Sequence, residues 1–210
     1  MKKLNEHPET PGTGSIVETG SIQELESLMK KYKTDPKMVS FVTEILQQGD
    51  VRYTDPWEAI SVAGFVESGA IQVTKNEVKI SPLPTEKDLL AITGPQKEHK
   101  YFASIIAKHQ GYKDLEYESS VGSLRVDVFA RKGDEELYIE CCSCSFNKPV
   151  TFLSIQKVML WVIQREVIDG NLIYYELKRG ENWDKFNNFH NEYISTEMDR
   201  HYKKLEQNWL

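Results

Sequence analysis

Two carboxylates, Asp127 and Glu140, stand where hairpin geometry sets them face to face. The segment Leu124-Arg-Val-Asp-Val-Phe-Ala-Arg131 alternates with a period of two, and so does Glu136-Leu-Tyr-Ile-Glu-Cys-Cys142. Between them, Lys132-Gly-Asp-Glu135 reads as a two-residue turn with Gly133 and Asp134 at its tip. That turn pairs Val128 with Ile139, Ala130 with Leu137 and Val126 with Cys141 on an apolar face. The other face pairs Phe129 with Tyr138, Asp127 with Glu140 and Arg125 with Cys142. Like charges directly across a sheet cost ~0.2–1 kcal/mol, so the pair calls for a cation or a shared proton. A divalent metal answers that need, and removing Asp127 from the metal-free protein would relieve the repulsion. The plainer alternative is a solvated carboxylate face on an edge hairpin.

The elements that would position this pair follow from pattern. Residues 1–20 carry Pro8, Pro11, Gly12, Gly14 and Gly20 among polar residues and read as a tail. Ser21 with Glu24 makes a capping box ahead of Ile22, Leu25, Leu28, Met29 and Tyr32. Asp35-Pro36 starts a second helix that stops at Gly49, and Asp55-Pro56 starts a third that ends at Gly69. Ala70 to Thr74 and Glu77 to Ser81 read as a hairpin turned by Lys75-Asn76. Three helices and a hairpin over 21–90 resemble a small winged-helix module. Its third helix holds Glu58 and Glu67 but no Lys or Arg, so it favours packing or protein contact over base reading.

Pro82, Pro84, Gly94 and Pro95 mark the boundary to an α/β domain over 95–210. A helix is predicted from about Gln96 to His109, a strand near Leu115 to Ser120, and then the hairpin. A helix from Val150 to about Ile168 would show Phe152, Ile155, Met159 and Val162 on one face. Leu172 to Lys178 reads as a buried strand, and a terminal helix carries Trp183, Phe186, Phe189, Tyr193, Tyr202, Leu205 and Trp209. The predicted order is αβββαβα, a mixed sheet flanked by helices.

Composition bounds the function. The 210 residues are 40% hydrophobic and 28% charged, an ordinary globular balance. No apolar run approaches the ~20 residues that span a bilayer, and the first residues lack a signal-peptide stretch, so a cytoplasmic protein without membrane contact is expected. The formal net charge of −6 argues against bulk nucleic-acid binding but leaves room for cations gathered at one site. The three cysteines, Cys141, Cys142 and Cys144, lie too close in sequence for a disulfide framework. With His99 they offer a zinc alternative, against which stands the absence of a second cysteine pair.

The order αβββαβα, with Glu98 on the first helix, Asp127 in Arg-Val-Asp-Val and Glu140 in Tyr-Ile-Glu-Cys-Cys, resembles the core of the PD-(D/E)XK nuclease superfamily over residues 95–180. The resemblance implies Mg²⁺- or Mn²⁺-dependent hydrolysis of phosphodiester bonds, with DNA as partner and a homodimer left open. Asp127 and Glu140 would ligate the metal, with the Cys141 carbonyl and Glu98 completing the set. Gln156 falls where several branches keep a glutamine. The motif lysine two residues past the glutamate is replaced by Cys142. Lys157, or Lys148 ahead of the same helix, would have to supply the charge, and Lys157 beside Gln156 is the first choice. A protein that has lost catalysis and only binds nucleic acid or a protein partner is the alternative.

Overall fold

The computed structural model describes residues 30, 36–47 and 56–192. The capping box at Ser21, most of its helix, and the terminal helix beyond residue 192 lie outside the described residues.

Six strands form one mixed sheet flanked by helices. Helices α1 (Pro36–Gln47) and α2 (Pro56–Glu67) precede strand β1 (Ile71–Lys79). Helices α3 (Glu86–Leu90) and α4 (Lys97–His109) follow, then β2 (Lys113–Val121), β3 (Leu124–Lys132) and β4 (Glu135–Cys141). Helix α5 (Asn147–Leu153) leads to β5 (Val158–Ile168) and β6 (Asn171–Arg179). Residues 183–192 are again helical. The strand order is β1-β6-β5-β4-β3-β2. Neighbours are antiparallel except β4 and β5, which run parallel through the α5 crossover, as parallel strands require.

Two apolar clusters cover the two faces of the sheet. One joins α1, α2, α5 and the 183–192 helix, with Leu46, Phe65, Phe152, Phe186 and Tyr138 among its members. The other lies under α4 and holds Phe102, Ile106, Val128, Ile139 and Trp161. Removing such side chains from water at about 25 cal/mol per Å² is the main force that closes the sheet between its helices.

The β3–β4 hairpin forms in the expected register. Val128 pairs with Ile139, Phe129 with Tyr138 and Ala130 with Leu137. Gly133 has φ +60°, the left-handed value that a glycine-first two-residue turn uses.

Two predicted elements differ. The hairpin expected over residues 70–81 is one unbroken strand, β1, whose nine residues pair with β6 from Ile71↔Arg179 to Lys79↔Asn171. Lys75 and Asn76 keep negative φ, so nothing turns the chain there. Residues 71–79 therefore belong to the same sheet as residues 113–179, and among the described residues no hairpin forms over 70–81 to serve as a wing.

The helix expected from Val150 to Ile168 ends at Leu153, and β5 takes the rest. The packing shows why. Val158, Leu160 and Val162 enter one cluster, while Trp161 and Ile163 enter the other, with Met159 packed against it. A strand buried on both faces reads as an unbroken apolar run, and such a run does not separate helix from strand by period.

Candidate functional site

Three carboxylates meet on three adjacent strands at the open end of the β3–β4 hairpin. Tyr117↔Val128 and Ser119↔Val126 are paired across β2 and β3, which sets Glu118 opposite Asp127. On the other side, regular β3–β4 pairing ends at Val128↔Ile139. Beyond it the Cys141 N–H donates to Asp127 Oδ2 at 2.7 Å. The side chain of Asp127 thus accepts a bond that a strand would give to a backbone carbonyl. Val126, expected on the face of Val128, packs in the opposite cluster with Phe129 and Tyr138, so the hairpin's regular alternation ends at Asp127. Asp127 and Glu140 are accordingly neighbours rather than a directly facing pair.

Each carboxylate has found a cation. Lys100 on α4 is fully buried; its Nζ bonds the Glu118 carboxylate and the Thr93 carbonyl (3.2 Å) and lies 3.4 Å from Asp127 Oδ1. Glu118 also takes the Arg125 guanidinium, Nε to Oε2 at 2.7 Å. Glu140 pairs with Lys148, Nζ to Oε2 at 2.7 Å, and the same ammonium donates to the Arg125 carbonyl at 2.7 Å. Lys148 is the second residue of α5, so the helix that follows β4 delivers it.

Glu140 is the most perturbed member. It is 4% exposed, and burial pushes its pKa up to about 7 against the opposing pull of Lys148, with Asp127 and Glu118 adding to the rise. Its Oε1 is buried without a hydrogen-bond partner among the described residues. A carboxylate oxygen left bare in low dielectric is costly, and a pKa moved this far in a cluster of charges marks a site of function more often than the average residue.

The remaining predicted residues scatter. Glu98 is exposed in the first turn of α4; the residue of that turn that reaches Asp127 is Lys100, about 200° further round the helix at ~100° per residue. Gln156 and Lys157 are exposed in the α5–β5 connection rather than on a helix. Lys157 pairs with Asp134 at the hairpin tip, at 2.9 Å. Glu136 and Glu140 face Val158 and Val162 respectively, so Lys157 lies beyond Glu136, more than ~13 Å along the strand from Glu140 at ~3.3 Å per residue. Lys148, not Lys157, is the lysine at Glu140.

The cysteines part company. Cys141 belongs to the α4-side cluster and Cys144 to the other. Cys142 has φ +68° and its thiol hydrogen-bonds Arg165, so the strand does not continue past it. His99 bonds the Arg165 carbonyl at 2.9 Å. The four are not drawn together for zinc. Cys144 instead ties the loop to the N-terminal part of the chain. Its N–H donates to the Leu46 carbonyl at 2.7 Å, and its carbonyl accepts from Gln47 Nε2 at 2.8 Å. Gln164 Nε2 caps the Ile45 carbonyl at 3.1 Å.

Glu118 and Lys100 escaped the sequence reading. One signal was there: Gly122-Ser123 turns β2 into β3, and counting back from Val121↔Leu124 sets Glu118 against Asp127. Nothing in the sequence could place Lys100, whose position depends on how α4 packs.

The donor chemistry fits a hard divalent ion in part. Among the described residues, Glu140 Oε1 is an unpartnered oxygen, and Asp127 Oδ1 has the Lys100 ammonium at 3.4 Å. Among the described residues, though, no three His, Cys, Asp or Glu side chains converge as a ready ligand set, because Lys100 and Arg125 hold Glu118.

No family model matches the chain, and no curated protein or solved structure matches it either. No helix among the described residues is long and apolar enough to cross a membrane.

Proposed function

We propose that the protein is a metal-dependent endonuclease that hydrolyses phosphodiester bonds of DNA at Asp127 and Glu140. The observation that carries the reading is Lys148 on Glu140: the ammonium missing at Cys142 is supplied from the helix after β4. The order α4-β2-β3-β4-α5-β5, with β4 and β5 parallel, supports the restriction-endonuclease-like resemblance of residues 95–180.

Asp127 and Glu140 would hold Mg²⁺ or Mn²⁺, which would lower the pKa of bound water and polarise a phosphoryl oxygen. Lys148 pulls Glu140 toward its ionised form against the burial that raises its pKa, and it leaves an ammonium beside the reacting group, where charge develops in phosphoryl transfer. Arg125, with its side chain 64% exposed and its Nε on Glu118, is placed to meet a backbone phosphate.

The charge balance favours a second reading. Glu118, Asp127 and Glu140 face Lys100, Arg125 and Lys148, so the cluster is already neutral. A neutral, self-paired cluster suits a protein that binds nucleic acid or a partner without cutting.

Incubation of plasmid and branched DNA with Mg²⁺ or Mn²⁺ against EDTA separates the two. Metal-dependent cleavage that disappears in Glu140→Gln supports the nuclease. DNA retention without cleavage supports the binder.

A further inference from the structure

The least expected member of the site is Lys100. A lysine ammonium with no exposed surface is expensive to bury and survives only when paired and hydrogen-bonded. Here the pairing is built from four separate pieces of chain. Glu118 Oε1 comes from β2, Asp127 Oδ1 from β3, the Thr93 carbonyl from the segment before α4, and the lysine itself from α4. The segment closes over the pair through Gly94, whose φ is +72°. A Cβ there would collide with the Glu118 carboxylate and come within 2.9 Å of Lys100 Nζ. The result is a cradle of oxygen ligands around one positive charge: two carboxylates and one backbone carbonyl. These are the ligands that Mg²⁺, Mn²⁺ or Ca²⁺ would choose. On the next strand, β4, Glu140 Oε1 is buried and has no hydrogen-bond partner among the described residues.

We propose that Lys100 is a built-in cation, its ammonium occupying a divalent-ion position between Glu118 and Asp127, so that the protein takes one ion fewer than its carboxylates could hold. The inference rests on the reading of Asp127 as a metal ligand but concerns a different ion from the one assigned to Asp127 and Glu140. The ammonium gives the cluster a fixed charge that chelators and changing metal supply cannot remove. It also keeps Glu118 from joining the ligands of Asp127.

Counting bound Mn²⁺ by calorimetry, with electron paramagnetic resonance of the free ion as a cross-check, tests this. Lys100→Met should bind one more Mn²⁺ per chain than wild type. Lys100→Met combined with Glu118→Gln should lose that added ion. The melting temperature of Lys100→Met should rise with Mn²⁺ by clearly more than that of wild type. Lys100→Gln, which keeps donors for Glu118 and the Thr93 carbonyl, serves if the methionine variant is poorly folded, and it should show the same gain. An unchanged Mn²⁺ count in a folded Lys100→Met or Lys100→Gln protein overturns the proposal. So does failure of both variants to fold with and without Mn²⁺, since the divalent ion then cannot replace the ammonium. Folding of either only when Mn²⁺ is present supports it. Wild type that binds no Mn²⁺ counts against the nuclease reading, whereas a gain from none to one on removing Lys100 still upholds this inference.

Discussion

The two ends of the β3–β4 hairpin carry the same chemistry in opposite surroundings. At the tip, Asp134 and Lys157 meet at 2.9 Å with side chains 83% and 59% exposed. At the open end, Glu140 and Lys148 meet at 2.7 Å with side chains 5% and 16% exposed. The tip pair lowers the Asp134 pKa and is screened by solvent. At the open end burial overcomes the lysine and pushes Glu140 upward. Distance alone says nothing about the worth of an ion pair; removal of water decides it.

The largest way to test that contrast is to take a cation from the wet or the dry end. Lys100→Met takes the ammonium from Asp127 and leaves Glu118 with Arg125 alone, and metal-free stability should fall by about 3 kcal/mol, the low end for breaking a buried pair, in denaturant unfolding. Lys148→Met should lower DNA cleavage by ~10²-fold or more, the range of lost electrostatic or acid–base help. Lys157→Ala, remote from Glu140, should leave the rate unchanged; a loss there instead would move the site to the tip.

Asp127→Ala sharpens the comparison from the acid side. A bare opposition of carboxylates predicts a gain in metal-free stability. Because Asp127 accepts the Cys141 N–H and faces Lys100, the expected outcome is a loss of ~1–3 kcal/mol from the orphaned donor, read by the same unfolding curves.

A pH series separates the ends again. Glu140 holds its proton more tightly folded, at about 7, than unfolded, at ~4.3. The folded state then binds more protons in that window, so its contribution makes stability fall as pH rises from ~4.3 towards 7. The wild-type melting temperature minus that of Glu140→Gln should decline across the window and level off on either side. A flat difference would mean that Lys148 keeps Glu140 ionised throughout. The smallest effect belongs to the tip: Lys157→Ala should give no resolvable change in melting temperature at physiological salt.

The hairpin register was legible because a glycine turn and two alternating runs fix it together. Asp127 and Glu140 were recognisable by the same arithmetic, though their staggering was not, since it arises from a side chain bonding the Cys141 backbone. Val158 to Ile163 hid its strand because both faces are buried. Ile71 to Lys79 hid its single strand because the partner that straightens it, β6, lies about a hundred residues further on by pairing. A helix over 150–168 favours Lys157 over Lys148; ending α5 at Leu153 reverses the choice.

The grip of α1 on Cys144 has a consequence for cutting the protein down. The loop 142–146 joins Glu140 to Lys148, and the Leu46 carbonyl together with the Gln47 amide holds it from outside, while the Ile45 carbonyl fastens Gln164 of β5. A fragment beginning at residue 95 would lose all three fastenings, and with β1 gone it would bare the nine-residue rim of β6 to other chains. The acidic cluster is assembled from the second half of the sequence but moored by the first.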